Sequence, residues 1–314
     1  MNKENTTRDS ALPGGEVPFI DIHAHCVAVH GFSHTGRDAM CDPEQLLALY
    51  DRHGVSCGAL LPMVNPEPMA FTQSVEDILK MAADHPGRFV PFCNIDPRAM
   101  GNGFRSPLGD VLKFYRDKGC RGVGELCANL RFLDPRVQNL FKGAEEAGLP
   151  VTFHISPQEG RGYGLVDDAG LPQLEECLRR FPKLRFFGHS QTFWCEMAAD
   201  PSPTDRARYA SGPIAEEGAI PRLMRKYPNL YGDLSANSGA NAIMRDRAYG
   251  IAFLNEFQDR LMFGLDICEP EAPRAFDPPL LKHLRELLAA GEISQAVFDK
   301  VARGNALREL GLGQ

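Results

Sequence analysis

Eight short apolar segments alternate along the chain with eight stretches of helical character. The segments run nearly unbroken instead of alternating with polar residues, which is typical of parallel strands buried on both faces. They lie at residues 18–25, 57–63, 89–95, 121–127, 150–156, 184–190, 229–235 and 260–267. Eight such β/α units in about 290 residues predict an α/β protein with a (β/α)8 TIM barrel. The competing fold, an open doubly wound sheet, favours a glycine-rich phosphate loop after the first strand, and the sequence has none there.

The chain length fits one large domain. The sequence has 314 residues, a size that suits one large α/β domain or two small ones. We expect residues 18–314 to form a single barrel domain. Residues 1–17 are polar and lack an apolar signal region, so they are predicted to be a disordered leader.

Composition excludes several classes of partner. The formal net charge is −7, without a basic cluster, which argues against nucleic acid because phosphate binding needs concentrated positive charge. No apolar run reaches the length of a membrane span. The nine cysteines are odd in number, scattered and free of CxxC pairs, which is typical of reduced thiols in a cytoplasmic protein.

Loop lengths indicate which end of the predicted barrel carries the active site. Links from helix to strand are short, whereas links from strand to helix are long, notably those at 26–41, 157–170, 191–217 and 236–242. Long loops at the C-terminal ends of the strands form the active face of such barrels. A small-molecule substrate is therefore expected to bind at that end.

Metal-type ligands end five of the predicted strands. The first strand carries a His-x-His pair, whose alternation would place Asp21, His23 and His25 on one face. The full set is His23, His25, Glu125, His154, His189 and Asp266. Each alone has an ordinary explanation, such as a satisfied core histidine or a paired carboxylate. Together they would bury charge at high cost without a cation, so they predict a divalent metal site, for zinc or alternatively manganese or iron.

The order of these ligands resembles the amidohydrolase superfamily. Within it, the pattern is similar to the amidohydrolase-related branch, which includes aminocarboxymuconate-semialdehyde decarboxylase-like enzymes. The resemblance extends from residue 20 to about residue 310. Four segments carry it: DIHAH at 21–25, FGH at 187–189, YGDLS at 231–235 and FGLD at 263–266.

The resemblance implies roles for the ligands. His23, His25 and Asp266 would hold the main metal. In single-metal members His154 would complete that shell, and His189 would orient water or polarise the substrate. In two-metal members the strand-4 carboxylate, here Glu125, would bridge both ions while His154 and His189 hold the second. The cofactor is thus expected to be one or two Zn²⁺ ions.

Glu125 favours hydrolysis, because the decarboxylases of this branch are single-metal enzymes in which a strand-4 glutamate is not expected as a ligand. The predicted function is a hydrolase that uses a metal-activated water on a small amide, lactone or ester. Asp266 would act as the general acid–base, a role that typically raises the reaction rate by about 10²–10⁴-fold. His189 would stabilise the oxyanion or hold the second metal. The alternative is a non-oxidative decarboxylase of an aromatic or muconate-like acid. A third possibility is a catalytically idle barrel that binds a ligand or metal.

Six further residues are candidates for substrate contact, since they lie in the loops or strand ends of the same face. They are Asn129, Arg131, Asp233, Ser235, His30 and Trp194. Arg131 could pair with a substrate carboxylate or form a surface ion pair. The 191–217 loop either covers the site or is an irregular surface excursion. Members of the branch often pair, so the resemblance also allows a homodimer.

Overall fold

The structure is a computed structural model. It describes residues 18–33, 36–68 and 72–313. The predicted leader, residues 1–17, lies outside the described residues.

Nine parallel strands are present in the described part of the chain, eight of them in the barrel wall. The ninth, β6, is a two-residue strand that pairs with β5. The strands are β1 Phe19–Ala24, β2 Val55–Leu60, β3 Phe89–Pro91, β4 Val123–Leu126, β5 Val151–Ser156, β6 Leu165–Val166, β7 Phe186–His189, β8 Leu230–Asp233 and β9 Leu261–Met262.

Helices follow the barrel strands and pack around them. They are α1 Pro43–His53, α2 Val75–Asp84, α3 Leu108–Asp117, α4 Pro135–Ala147, α5 Pro172–Arg180, α6 Gln191–Cys195, α7 Pro203–Ala207, α8 Ala219–Lys226, α9 Ala236–Met244, α10 Arg247–Glu256, α11 Pro273–Phe276, α12 Pro279–Ala289, α13 Gln295–Asp299 and α14 Asn305–Leu310, with a π-helical turn at Lys300–Gly304 between the last two. Each helix in the described part of the chain is too short or too polar to span a lipid bilayer.

The strands close into a barrel through two short seams. Continuous pairing runs along β1-β2-β3 and along β4-β5-β7-β8-β9. Between β3 and β4, the Cys93 amide donates to the Gly122 carbonyl at 2.9 Å. Between β9 and β1, the Ile22 amide donates to the Phe263 carbonyl at 3.0 Å and the Asp266 amide to the His23 carbonyl at 2.9 Å. The predicted (β/α)8 barrel is confirmed.

The barrel interior is apolar at its N-terminal end, where α14 closes it. Ala306 and Leu310 of α14 pack with the interior side chains of the strands. Glu309 of the same helix accepts hydrogen bonds from Arg185 and Tyr231, which lie at the starts of β7 and β8. The interior cluster consists of Ile20, Ile22, Cys57, Ala59, Leu61, Val90, Phe92, Phe187 and Met262. Only the opposite end of the barrel is left for polar chemistry.

The predicted link at 236–242 is helical instead: it forms most of α9, and α10 follows it. Asp246 separates them, because its carboxylate accepts a hydrogen bond from the Tyr249 amide at 3.1 Å and caps α10. The predicted loop at 191–217 contains two short helices, α6 and α7, so it is not irregular throughout.

Candidate metal centre

His23 near the end of β1 and His25 just after it, together called the β1 histidines, lie at the C-terminal end of the barrel. Asp21 does not face the same way. The pairing of β1 with β2 is irregular between Asp21 and Ala24, so strict alternation does not hold there. The buried Asp21 carboxylate accepts hydrogen bonds from the Tyr50 hydroxyl of α1 and from the Leu265 amide, each at 2.8 Å. The expectation that Asp21 shares a face with both histidines is therefore wrong; Asp21 anchors the strand from behind.

The two β1 histidines are oriented through their Nδ1 atoms. His23 Nδ1 donates to Asp233 Oδ2 at 2.6 Å, and His25 Nδ1 donates to the Leu61 carbonyl at 2.9 Å. The two Nε2 atoms then lie 3.1 Å apart. In neutral imidazoles with this tautomer, both Nε2 atoms present lone pairs to the same point.

Two carboxylates face the same point. Glu125 Oε2 lies 3.5 Å from His25 Nε2 and 3.7 Å from His23 Nε2. Asp266 Oδ1 lies 3.6 and 3.8 Å from the same two nitrogens. The second oxygen of each carboxylate faces a further histidine. Glu125 Oε1 accepts a hydrogen bond from His154 Nδ1 at 2.8 Å, and Asp266 Oδ2 lies 3.8 Å from His189 Nε2.

This donor set fits a divalent cation. Four atoms with lone pairs, two imidazole nitrogens and two carboxylate oxygens, converge at one buried point. With both imidazoles in the neutral tautomer described above, none of the four carries a hydrogen. Buried negative charge of this kind is costly without a cation. In the metal-free protein, burial opposes ionisation of Glu125, yet the hydrogen bond from His154 and the charge on His23 hold its pKa well below the usual value. Burial alone would lower the pKa of His23, but Asp233 and Asp266 raise it well above the ordinary value. A proton on His23 thus occupies the position that a metal would take.

His189 completes the polar wall. Its Nδ1 lies 3.0 Å from Ser235 Oγ, and burial together with the charge on His23 lowers its pKa to about 4. His189 is therefore neutral at neutral pH, with Nε2 turned toward Asp266. It can act as a ligand or polarise a substrate.

The open side of the site carries residues that sequence reasoning missed. Arg274 Nη1 lies 3.9 Å from Asp266 Oδ2. Arg274 and Cys268 line a cleft of about 620 Å³ beside Asp266. The Tyr163 ring packs against the His154 imidazole with a centroid distance of 4.5 Å. Tyr163 lies in the predicted link at 157–170, and Arg274 follows the last predicted strand, but the direction of each side chain is fixed only by the folded loop.

Three of the predicted substrate-contact residues lie behind the site. Asp233 and Ser235 are fully buried against His23 and His189. Trp194 is buried in the core, and its indole nitrogen donates to the Asp233 carbonyl at 3.0 Å. This placement differs from the expected substrate contact, because strand β8 turns Asp233 toward the imidazoles and away from the cleft.

The other three lie at the protein surface around the face. Arg131 forms exposed ion pairs with Glu159 and Asp168, in agreement with its ordinary interpretation. Asn129 binds loop backbone, donating to the Gly164 carbonyl at 3.3 Å. His30 is partly exposed beside two aspartates, Asp38 and Asp42. None of the three contacts the histidine and carboxylate cluster in the described structure.

Comparisons with known proteins agree with this architecture. The amidohydrolase family model matches residues 20–312. No curated protein sequence matches significantly. Solved structures that share the fold include the following three.

A TIM-barrel protein of unknown function from Bordetella bronchiseptica has a TM-score of 0.61 at 18% identity, covering 94% of this chain and 99% of its own. The 5-carboxyvanillate decarboxylase LigW from Sphingomonas paucimobilis has a TM-score of 0.59 at 17% identity, covering 95% and 100%. A zinc-bound amidohydrolase from Burkholderia multivorans has a TM-score of 0.57 at 17% identity, also covering 95% and 100%.

The family match spans the whole barrel, including every strand end that supplies a ligand-type side chain to the centre. The chain therefore belongs to the amidohydrolase family.

Proposed function

We propose that the protein is a metal-dependent hydrolase of a small amide, lactone or ester. The position of Glu125 carries this proposal. One of its oxygens faces the β1 histidines, and the other faces His154 and lies 3.9 Å from His189 Nε2. A carboxylate placed between two groups of histidines is suited to bridge two ions, an arrangement used to activate water for hydrolysis.

The chain's own residues would hold the metal and handle the proton. His23, His25, Asp266 and Glu125 present the donor atoms described above, and their nitrogen and oxygen chemistry suits zinc, with manganese or iron as alternatives. A bound divalent ion would supply Lewis acidity and lower the pKa of water to about 7. Asp266, which also borders the cleft, would accept a proton from water and return it to the leaving group.

His189 would act on the substrate oxygen. Ser235 holds its Nδ1, so Nε2 keeps a fixed direction toward the space beside Asp266. Preorganised polar groups of this kind lower the barrier because they need no reorientation as charge develops.

A decarboxylase of an aromatic or muconate-like acid is the second candidate. Arg274 favours it, because a guanidinium beside Asp266 is suited to hold a substrate carboxylate next to the metal. The shared fold with 5-carboxyvanillate decarboxylase is compatible with it.

Two measurements separate the candidates. Metal content by plasma mass spectrometry, on protein purified without chelator, should approach two ions per chain for the proposed hydrolase. A panel of amides, lactones, esters and aromatic acids is then incubated in ¹⁸O-labelled water. Label in the product acid supports hydrolysis. Release of CO₂ together with a decarboxylated product that has gained no label, from a protein that holds one ion, would instead establish the decarboxylase.

A further inference from the structure

A second group of ligand-type atoms adjoins the first. Glu125, Cys127 and His154 each offer one donor atom, and these three atoms lie within 4.8 Å of one another. All three residues are buried. Glu125 also belongs to a group with His23 and His25, whereas Cys127 and His154 occur only in this second group.

The barrel register builds this group. Glu125 and Cys127 lie two residues apart at the end of β4, and Leu126 between them pairs with Phe153, the neighbour of His154 on β5. The Cys127 backbone is held on both sides: its amide donates to Asn65 Oδ1 and its carbonyl accepts from the Gly164 amide, each at 2.7 Å. The Cys127 backbone is therefore held in place just beyond the end of β4.

The ligand types differ between the two positions. The first offers imidazole nitrogens and carboxylate oxygens, which accept zinc, manganese or iron. The second adds a thiol, and thiolate ligands select zinc over the harder ions. His189, which the family resemblance would assign to a second ion together with His154, lies instead with His23 and Asp266.

We propose that Glu125, Cys127 and His154 form a thiolate-containing second metal position that shares Glu125 with the first. On binding, the thiol proton leaves to solvent and the His154 proton moves to Nε2, so that sulfur and Nδ1 both become free to ligate. The proposal deepens the proposed function, because it names the residues of the second ion.

The test is spectroscopic. Metal-free protein is titrated with Co²⁺ while the near-ultraviolet thiolate-to-cobalt charge-transfer band and the bound metal are recorded. We expect the band in the wild type, and we expect Cys127→Ser and Cys127→Ala to lose it together with one ion per chain. Cys268→Ser is the matched control, because its sulfur lies 3.6 Å from Asp266 Oδ1 on the first position; it should keep the band.

A second measurement does not depend on the variants folding. X-ray absorption on the zinc-loaded wild type should show a sulfur neighbour at about 2.3 Å. His25→Ala should lose metal at the first position and keep the thiolate signal.

Failure of this proposal is distinguishable from failure of the proposed function. Metal binding and hydrolysis without any sulfur signal, or a signal that survives in Cys127→Ser, would overturn only the second position. A wild type that binds no metal would overturn both.

Discussion

Asp233 supports His23 from behind the cleft and does not itself line the cleft. It is fully buried, and its carboxylate fixes the ring and tautomer of His23. Groups that orient a metal-binding histidine typically contribute 10–100-fold to metal affinity.

We therefore expect Asp233→Asn to weaken zinc binding by roughly 10–100-fold, because its amide no longer holds His23 Nδ1 as an anionic acceptor. Competition with a chromogenic chelator measures the affinity. Asp168→Asn, at an exposed ion pair with Arg131, is the control and should bind zinc like the wild type. Equal affinities for Asp233→Asn and the wild type would remove Asp233 from this role.

Arg274 lines the cleft with its guanidinium 3.9 Å from Asp266 Oδ2. We expect Arg274→Met to lower kcat/KM for carboxylate-bearing substrates by roughly 10–100-fold, since hydrogen bonds to charged groups contribute about 1.5–3 kcal/mol. The methyl esters of the same substrates should be affected little. Arg131→Met is the matched control, because Arg131 is occupied by surface acids. A uniform loss on acids and esters would contradict carboxylate recognition.

At the scale of elements, the packing of α1 against β2 depends on a glycine. A Cβ on residue 58 would clash with the Tyr50 hydroxyl, which donates a hydrogen bond to Asp21. The close approach thus links α1, β2 and the anchor of β1.

Gly58→Ala is expected to lower the free energy of unfolding by about 2 kcal/mol, the usual cost of overpacking, because Tyr50 must move away from Asp21. Urea denaturation followed by circular dichroism measures it. Gly103→Ala is the control, since its nearest neighbour, Ser106 Oγ, would be 3.6 Å away. A wild-type midpoint for Gly58→Ala would show that Tyr50 relocates freely.

Helices α5 and α8 are joined by a pH-dependent contact. Partial burial opposes ionisation of Glu175, but hydrogen bonds from Lys226 and Arg222 outweigh it and lower its pKa to about 2. An acid whose pKa is depressed in the folded state stabilises the fold above its unfolded value and loses that contribution as pH falls.

Glu175→Gln should therefore cost roughly 0.5–1 kcal/mol at pH 7, the scale of a partly exposed ion-pair network. The difference from the wild type should shrink as the pH falls from about 4.5 toward 2. Urea unfolding at several pH values measures it. Glu176→Gln, whose partners Arg179 and Arg180 lie on the same helix, tests whether the link between helices matters. A pH-independent difference would contradict the electrostatic explanation.

At the scale of the whole molecule, the candidate metal centre would connect strands from all around the barrel. Its ligand-type residues lie on or just after β1, β4, β5, β7 and β9. A ligand that binds only the folded state stabilises it by about 4 kcal/mol at a thousandfold excess over Kd.

Removal of metal by EDTA is accordingly expected to lower Tm by roughly 10 °C, and zinc should restore it. Scanning fluorimetry or calorimetry measures the change. The double variant His23→Ala/His25→Ala is the control and should be insensitive to EDTA. If the wild type is equally insensitive, the centre does not bind metal in the folded protein.

The local sequence pattern determined the barrel and the ligand types. Continuous apolar segments of strand length, separated by amphipathic helices, permit few other arrangements, and parallel strands necessarily bring their C-terminal ends to one face. The Asp42-Pro43 pair is a pattern typical of a helix start, and α1 begins there, with the Asp42 carboxylate accepting a hydrogen bond from the Gln45 amide at 2.8 Å. These are short-range signals, so they survive without knowledge of the fold.

Only the tertiary structure decided which polar side chain meets which. Asp233 lies 210 positions from His23, and its role as a buried support follows from β8 placing it behind the cluster. The irregular β1 pairing turned Asp21 away, and the loop after β9 brought Arg274 to Asp266. Side-chain direction at a strand end depends on register and loop path, which arise from contacts across the barrel and have no local periodicity to reveal them.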